Sequence, residues 1–137
     1  MENFAISDGQ ISASSEWSST LAAFLGRLHL KRSSGKAGSW STRANDDNQW
    51  LQVDLGRHTK VTGIATQGRN GYPQWVTKYK LQYSNDGVNF QYYREQGQTT
   101  EKVNFFLLSF DNIVFLRGTI YCFCFAIWFS CGAKVRD

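Results

Sequence analysis

The chain has 137 residues, a formal net charge of +4, 15% aromatic residues, one proline and three cysteines. Such a length suits a single domain with a real core, and so aromatic a composition excludes a disordered chain. No low-complexity linker or internal repeat divides it before Lys102.

In chain order, Trp17 to Ala44 contains no acidic residue but carries Arg27, Lys31, Arg32, Lys36 and Arg43, interleaved with Trp17, Phe24 and Trp40. This basic strip suits an anionic surface, and the plain alternative is a solvated face that happens to be basic. Asn45, Asp46, Asp47 and Asn48 read as a polar turn into Trp50. In QWLQVDLG, Gln49 to Gly56, Leu51, Val53 and Leu55 alternate with Gln52 and Asp54, the period of a strand with one buried face. Lys60 to Thr66 is rich in β-branched residues, but Val61 and Ile64 fall out of phase around Gly63, which predicts a bulge or burial of both faces. Tyr79, Leu81 and Tyr83 alternate with Lys80, Gln82 and Ser84. Asn85, Asp86 and Gly87 then supply turn chemistry, and Phe90 and Tyr92 restart the alternation, so Tyr79 to Tyr93 is predicted to be an antiparallel hairpin.

Met1-Glu2-Asn3, DGQISASSEW (Asp8 to Trp17), GRLHL (Gly26 to Leu30), Trp40, NQWLQVDLG, KVTGIATQG (Lys60 to Gly68), QWVTKYKLQYSNDG (Gln74 to Gly87) and NFQYY, in that order, closely resemble the discoidin family. This family is also called the coagulation factor five-eight type C domain. The resemblance runs from Met1 to about Lys102. It implies an all-β, antiparallel jelly-roll β-sandwich of the galactose-binding-like kind, incomplete at its C-terminus, whose loops at one end bind membranes, glycans or proteins. On this reading residues 1–102 are the N-terminal two-thirds or more of such a domain.

Three loops follow from the resemblance: Ser15 to Leu25, Ser33 to Ala44, and Arg69 to Gln74. The first holds Trp17, Leu21, Phe24 and Leu25, an apolar cluster expected to meet a ligand or a membrane, unless Trp17 and Phe24 fold under the loop as satellite core. Lys36 and Arg43 belong to the second, Arg69 and Tyr72 to the third, where the Tyr72 ring suits a sugar face or a bilayer interface as well as a plain surface. Arg27 is expected to tie the first loop to the sandwich through a carboxylate or carbonyls, and Trp50, Val53, Leu55, Tyr79, Leu81 and Tyr83 to belong to the core or its margins. Calcium binds some members of the family, yet Asp46 and Asp47 lack calcium-loop spacing, so no metal residue and no cofactor is expected.

Residues 103–137 have a different character. Aromatic residues crowd Val103 to Phe129, and Cys122, Cys124 and Cys131 all fall in this tail, an odd set that gives no disulfide framework. Three readings stand side by side: a membrane span over Ile113 to Cys131, interrupted by Arg117; divergent sandwich strands; and, as the preferred reading, translation of an intron, since Val103-Asn104 can be encoded by a splice-donor-like sequence. No charged leader and apolar run follow Met1; the resemblance implies an extracellular protein whose secretion signal lies outside these residues.

Catalysis has little foothold. His29 and His58 are the available neutral-pH bases, neither lies near a cysteine, and no Gly-x-Ser-x-Gly elbow, phosphate-cradling glycine loop or zinc pair occurs. The expected function is an extracellular adhesion or recognition module for cell-surface phospholipid, glycan or receptor protein, with no nucleic-acid motif and an oligomeric state the sequence leaves open. The alternatives are a truncated, non-binding product, or the targeting module of a larger enzyme or receptor.

Overall fold

Eight strands among the described residues build two antiparallel sheets: β1 (Ile11–Ala13), β2 (Trp50–Val53), β3 (Lys60–Gln67), β4 (Lys80–Ser84), β5 (Gln91–Tyr92), β6 (Phe110–Asp111), β7 (Ile113–Arg117) and β8 (Ala126–Cys131). The five-stranded sheet runs β1-β2-β7-β4-β5 and the three-stranded sheet β6-β3-β8. This computed structural model describes residues 6–57, 59–76, 79–94, 110–111, 113–117 and 126–131; Met1-Glu2-Asn3, His58, Cys122 and Cys124 lie outside them.

The alternation of β2 is realised as expected. Leu51 and Val53 are buried and Trp50 and Gln52 half-buried, while Leu55 continues the buried face beyond the strand. Opposite it, Ile11 pairs with Val53, and the Gln10 side chain donates to the Asp54 carbonyl at 2.8 Å, locking the register. Strand β3 contributes Val61, fully buried, and its pairing with β8 slips between Val61 and Gly63, the bulge that the phase break predicted. Leu51, Val53 and Leu81 from one sheet meet Val61 from the other in a single core, so the sheets pack face to face.

Trp40, outside any strand, is 2% exposed in that core, and its indole N–H donates to the Ser15 carbonyl at 2.9 Å. An indole buries up to about 250 Å², and at about 25 cal/mol per Å² this one side chain contributes on the order of 5 kcal/mol before conformational entropy is subtracted. It therefore anchors both the first loop and the second.

Two findings depart from the sequence pattern. Strand β4 buries Gln82 and Ser84 as well as Leu81, so it is covered on both faces where one solvated face was expected. Ser84 is turned inward by the hairpin: its hydroxyl accepts from Gly87 N–H at 3.0 Å and donates to the Asp86 carboxylate at 2.8 Å. That carboxylate also accepts from Asn89 N–H (2.8 Å), Asn89 Nδ2 (2.6 Å) and Val88 N–H (2.8 Å), and these donors hold Asp86 well below the usual carboxylate range.

The second concerns the tail, where of the three readings the described residues fit strands: β7 lies in the larger sheet and β8 in the smaller. Among the described residues no helix is long and apolar enough to cross a membrane. Strand β7 sits between β2 and β4, with Leu116 opposite both Leu51 and Leu81, so the backbone after residue 110 supplies a central strand.

Candidate ligand-binding loops

The first loop folds back through two short helical turns, Ser19–Leu21 and Ala23–Leu25. The Glu16 carboxylate accepts from Ala23 N–H at 2.7 Å and pins the fold-back. Small residues make this possible, since Ala22 and Ala23 let the turn press against the sandwich where both are buried. The loop is stitched to the second by three backbone hydrogen bonds, Trp17 N–H to Ser41 O at 2.8 Å, Ala37 N–H to Thr20 O at 2.9 Å and Ser41 N–H to Leu21 O at 3.1 Å.

This geometry corrects the expectation for three of the four apolar residues. Leu25 is 2% exposed and Leu21 packs on Ala37 in a small core of its own, while Phe24 is half-buried against the main core. Their apolar surface is satisfied by the protein because the paired turns point them inward. Trp17 alone of the four stays out, at 57% exposure.

The second loop begins with a tight reversal in which Ser33 and Lys36 exchange both backbone hydrogen bonds at 3.0 Å, with Gly35 in the left-handed region. Lys36 and Arg43 are exposed, and Arg43 N–H is held by the Ser15 hydroxyl. Gly38 has φ 68° and a Cβ there would run into the Leu30 carbonyl and come within 3.1 Å of Arg32 N, so a glycine is required for the stretch carrying Arg32 to lie alongside. Asp46 accepts from Asn48 N–H and Gln49 Nε2, forming the polar turn expected before Trp50.

The third loop is closed at its neck by Arg69 N–H to Gln74 O at 2.9 Å, reinforced by Arg69 Nη1 to Gln74 Oε1 at 2.9 Å. Its tip turns at Asn70 and Gly71 (φ 77°), with Tyr72 N–H returning to Arg69 O at 3.4 Å. The Arg69 guanidinium lies over the Tyr72 ring, 4.0 Å from its centroid, and that of Arg32 is 5.9 Å from the same centroid with Nη1 donating to the Tyr72 hydroxyl at 3.3 Å. Tyr72 is thus a 41% exposed ring in cation–π contact with two guanidiniums, Arg69 close and Arg32 further out. His29, in the left-handed region at φ 59°, donates its N–H to Gln67 at the end of β3 and draws the approach to the second loop towards the third.

Arg27 does what was expected of it: 2% exposed, it pairs at 2.6 Å with Asp8, next to β1. Among the described residues no group of three or more His, Cys, Asp or Glu is placed to hold a metal ion.

An antiparallel sandwich with its loops stitched together in this way has known counterparts. The F5/8 type C domain model matches residues 10–112. The chain belongs to the F5/8 type C domain family. Lactadherin of Rattus norvegicus is 45% identical over 117 residues, 82% of this chain and 26% of lactadherin, so the chain spans about a quarter of that relative. Discoidin II from Dictyostelium discoideum has the same fold, with TM-score 0.75 at 19% identity over 90% of this chain and 55% of that one. The lectin binding domain of lectinolysin, solved as a His 62 mutant complexed with Lewis b, matches with TM-score 0.59 at 21% identity over 98% of both chains. The family match ends before β7 and β8.

Within this F5/8 type C domain, the structure brings Arg69 and Tyr72 together and keeps Trp17, Lys36 and Arg43 at the surface. Sequence reasoning left two residues out of the site. Arg32 stood in the basic strip, but its contact with Tyr72 spans 40 positions and no local pattern announces it. Trp75, 55% exposed beside the neck glycine Gly68, entered only as part of the motif Gln74 to Gly87.

Proposed function

We infer that this F5/8 type C domain is an extracellular recognition module, not an enzyme, that holds anionic phospholipid surfaces through its three stitched loops. The observation that carries the reading is the exposed Tyr72 ring flanked by Arg69 and Arg32, beside loops that keep Trp17, Lys36 and Arg43 in solvent. An aromatic ring with an apolar body and polar tip suits the boundary between headgroups and acyl chains. Arg32, Lys36, Arg43 and Arg69, at about 1 kcal/mol for each cation near an anionic surface, account for up to roughly a thousandfold preference over a neutral one.

A glycan reading has one observation in its favour: Trp75 offers a flat, exposed indole of the kind sugars stack on. The two are separated by replacing Trp17 and Tyr72 with alanine and assaying the variants on anionic vesicles and on immobilised glycans. Lost vesicle binding with intact glycan binding supports the lipid reading; lost glycan binding with intact vesicle binding overturns it.

A further inference from the structure

We propose that Asn70, at the tip of the third loop, is a site of spontaneous deamidation, and that the acidic residue so formed weakens the binding of anionic ligands by the same loop. The consequence for binding rests on the function inferred above; the modification does not.

Asn70 and Gly71 are the one Asn-Gly pair in the sequence. Glycine after asparagine matters because no side chain shields its backbone nitrogen from the carboxamide carbon before it. Asn70 is exposed, and around Gly71 a Cβ would meet nothing within 4 Å, so approach of nitrogen to carbon is unobstructed. Among the described residues no hydrogen bond holds the Asn70 carboxamide, and the turn around it closes on a single long bond, Tyr72 N–H to Arg69 O at 3.4 Å. The two Asp-Gly pairs, which cyclise by the same attack with loss of water, are restrained. Asp8, before Gly9, is paired with Arg27 at 2.6 Å. Asp86, before Gly87, accepts four hydrogen bonds, and Gly87 N–H is taken by Ser84.

The chemistry needs only water. The Gly71 nitrogen gives up its proton and attacks Asn70 Cγ; the new C–N bond closes a succinimide while the Cγ–Nδ2 bond breaks, and ammonia leaves with the proton. Water then opens the ring at either carbonyl, giving aspartate or isoaspartate, with nothing oxidised or reduced. Either product sets a carboxylate next to Arg69, whose guanidinium covers Tyr72, and isoaspartate also lengthens the backbone inside a loop closed between Arg69 and Gln74. One cation of the site is thereby offset, which weakens binding to an anionic surface by about fivefold.

The test incubates the full chain in mildly alkaline buffer and follows each asparagine peptide by mass spectrometry, with isoaspartate detected by enzymatic methylation. Vesicles of phosphatidylcholine with phosphatidylserine are then titrated with fresh protein, aged protein and the variants Asn70→Asp and Asn70→Gln. Asn70 is expected to convert ahead of every other asparagine, Asn70→Asp to bind about fivefold more weakly than fresh protein, and Asn70→Gln to bind like fresh protein and stay constant on ageing. Persistence of the Asn70 amide while other asparagines convert overturns the site. Equal binding by Asn70→Asp and fresh protein overturns the consequence. Failure of fresh protein to bind these vesicles at all counts against the inferred function and against the consequence, while the mass measurement still decides the site.

Discussion

Leu25→Ala and Trp17→Ala, two truncations in one loop, are expected to have opposite effects. Leu25 is 2% exposed beneath the Ala23–Leu25 turn, so its truncation opens a cavity that the close-packed surroundings fill only in part. Leucine-to-alanine changes of this kind cost about 2–5 kcal/mol, and about 3 kcal/mol is the central expectation here. At about 3–5 °C for each kcal/mol in a chain of this size, the melting temperature falls by roughly 10–15 °C. Trp17 is 57% exposed, and its removal is expected to change stability by no more than about 0.5 kcal/mol. Its effect falls on binding, where loss of an aromatic anchor typically costs more than 1 kcal/mol, or about fivefold in affinity. Thermal melting by circular dichroism and vesicle co-sedimentation, run on both variants, give the two readouts. The reasoning is refuted if Leu25→Ala melts like the parent chain but loses binding, because the side chain would then face the ligand and not the core.

Removing the exposed carboxylate in Asp8→Ala withdraws the charged partner of the buried Arg27 guanidinium, and a cost of about 1–3 kcal/mol is expected in urea unfolding, with part of it recovered in the double variant that also carries Arg27→Met. Gly38→Ala forces a left-handed alanine into the Leu30 carbonyl and displaces the stretch carrying Arg32, so both the melting temperature and vesicle affinity fall. Asp86, held below its ordinary value of 3.8 by the turn donors, contributes stability that is fully present above about pH 4 and is lost as pH falls below that. In Asp86→Asn the urea midpoint is therefore lower at neutral pH and changes less between pH 4 and pH 2, which a set of unfolding curves across that range checks. A chain ending at Lys102 lacks β7 from between β2 and β4 and is expected to be insoluble. If the transcript instead splices after the codon for Lys102, the following exon has to supply that central strand.

Much of the sandwich was legible because its strands announce themselves locally. The alternation of Leu51, Val53 and Leu55, the phase break around Gly63 and the Asn85-Asp86-Gly87 turn each depend on neighbours a few positions apart. The site was legible only in outline. Trp17 and Leu25 are both large apolar residues in one loop, and what separates them is the Glu16 to Ala23 hydrogen bond and the contact of Leu21 with Ala37, which the sequence does not encode as a pattern. Arg32 meets Tyr72 only because Gly38 lets two backbones approach and His29 leans on Gln67. Gln82 and Ser84 defeated the alternation rule because β4 lies between two neighbouring strands, β7 and β5, and the hairpin turns Ser84 inward, neither of which the local pattern encodes.

The most direct test of the loop account is a binding titration of the full chain against vesicles in which phosphatidylserine replaces phosphatidylcholine stepwise, at low and at high salt. The account predicts affinity that climbs with the anionic fraction, falls with salt as surface charges are screened, and drops in both Arg69→Ala and Arg32→Ala, with the melting temperature unchanged in the exposed Arg32→Ala variant. Affinity that is indifferent to lipid charge, or unchanged in both arginine variants, contradicts it.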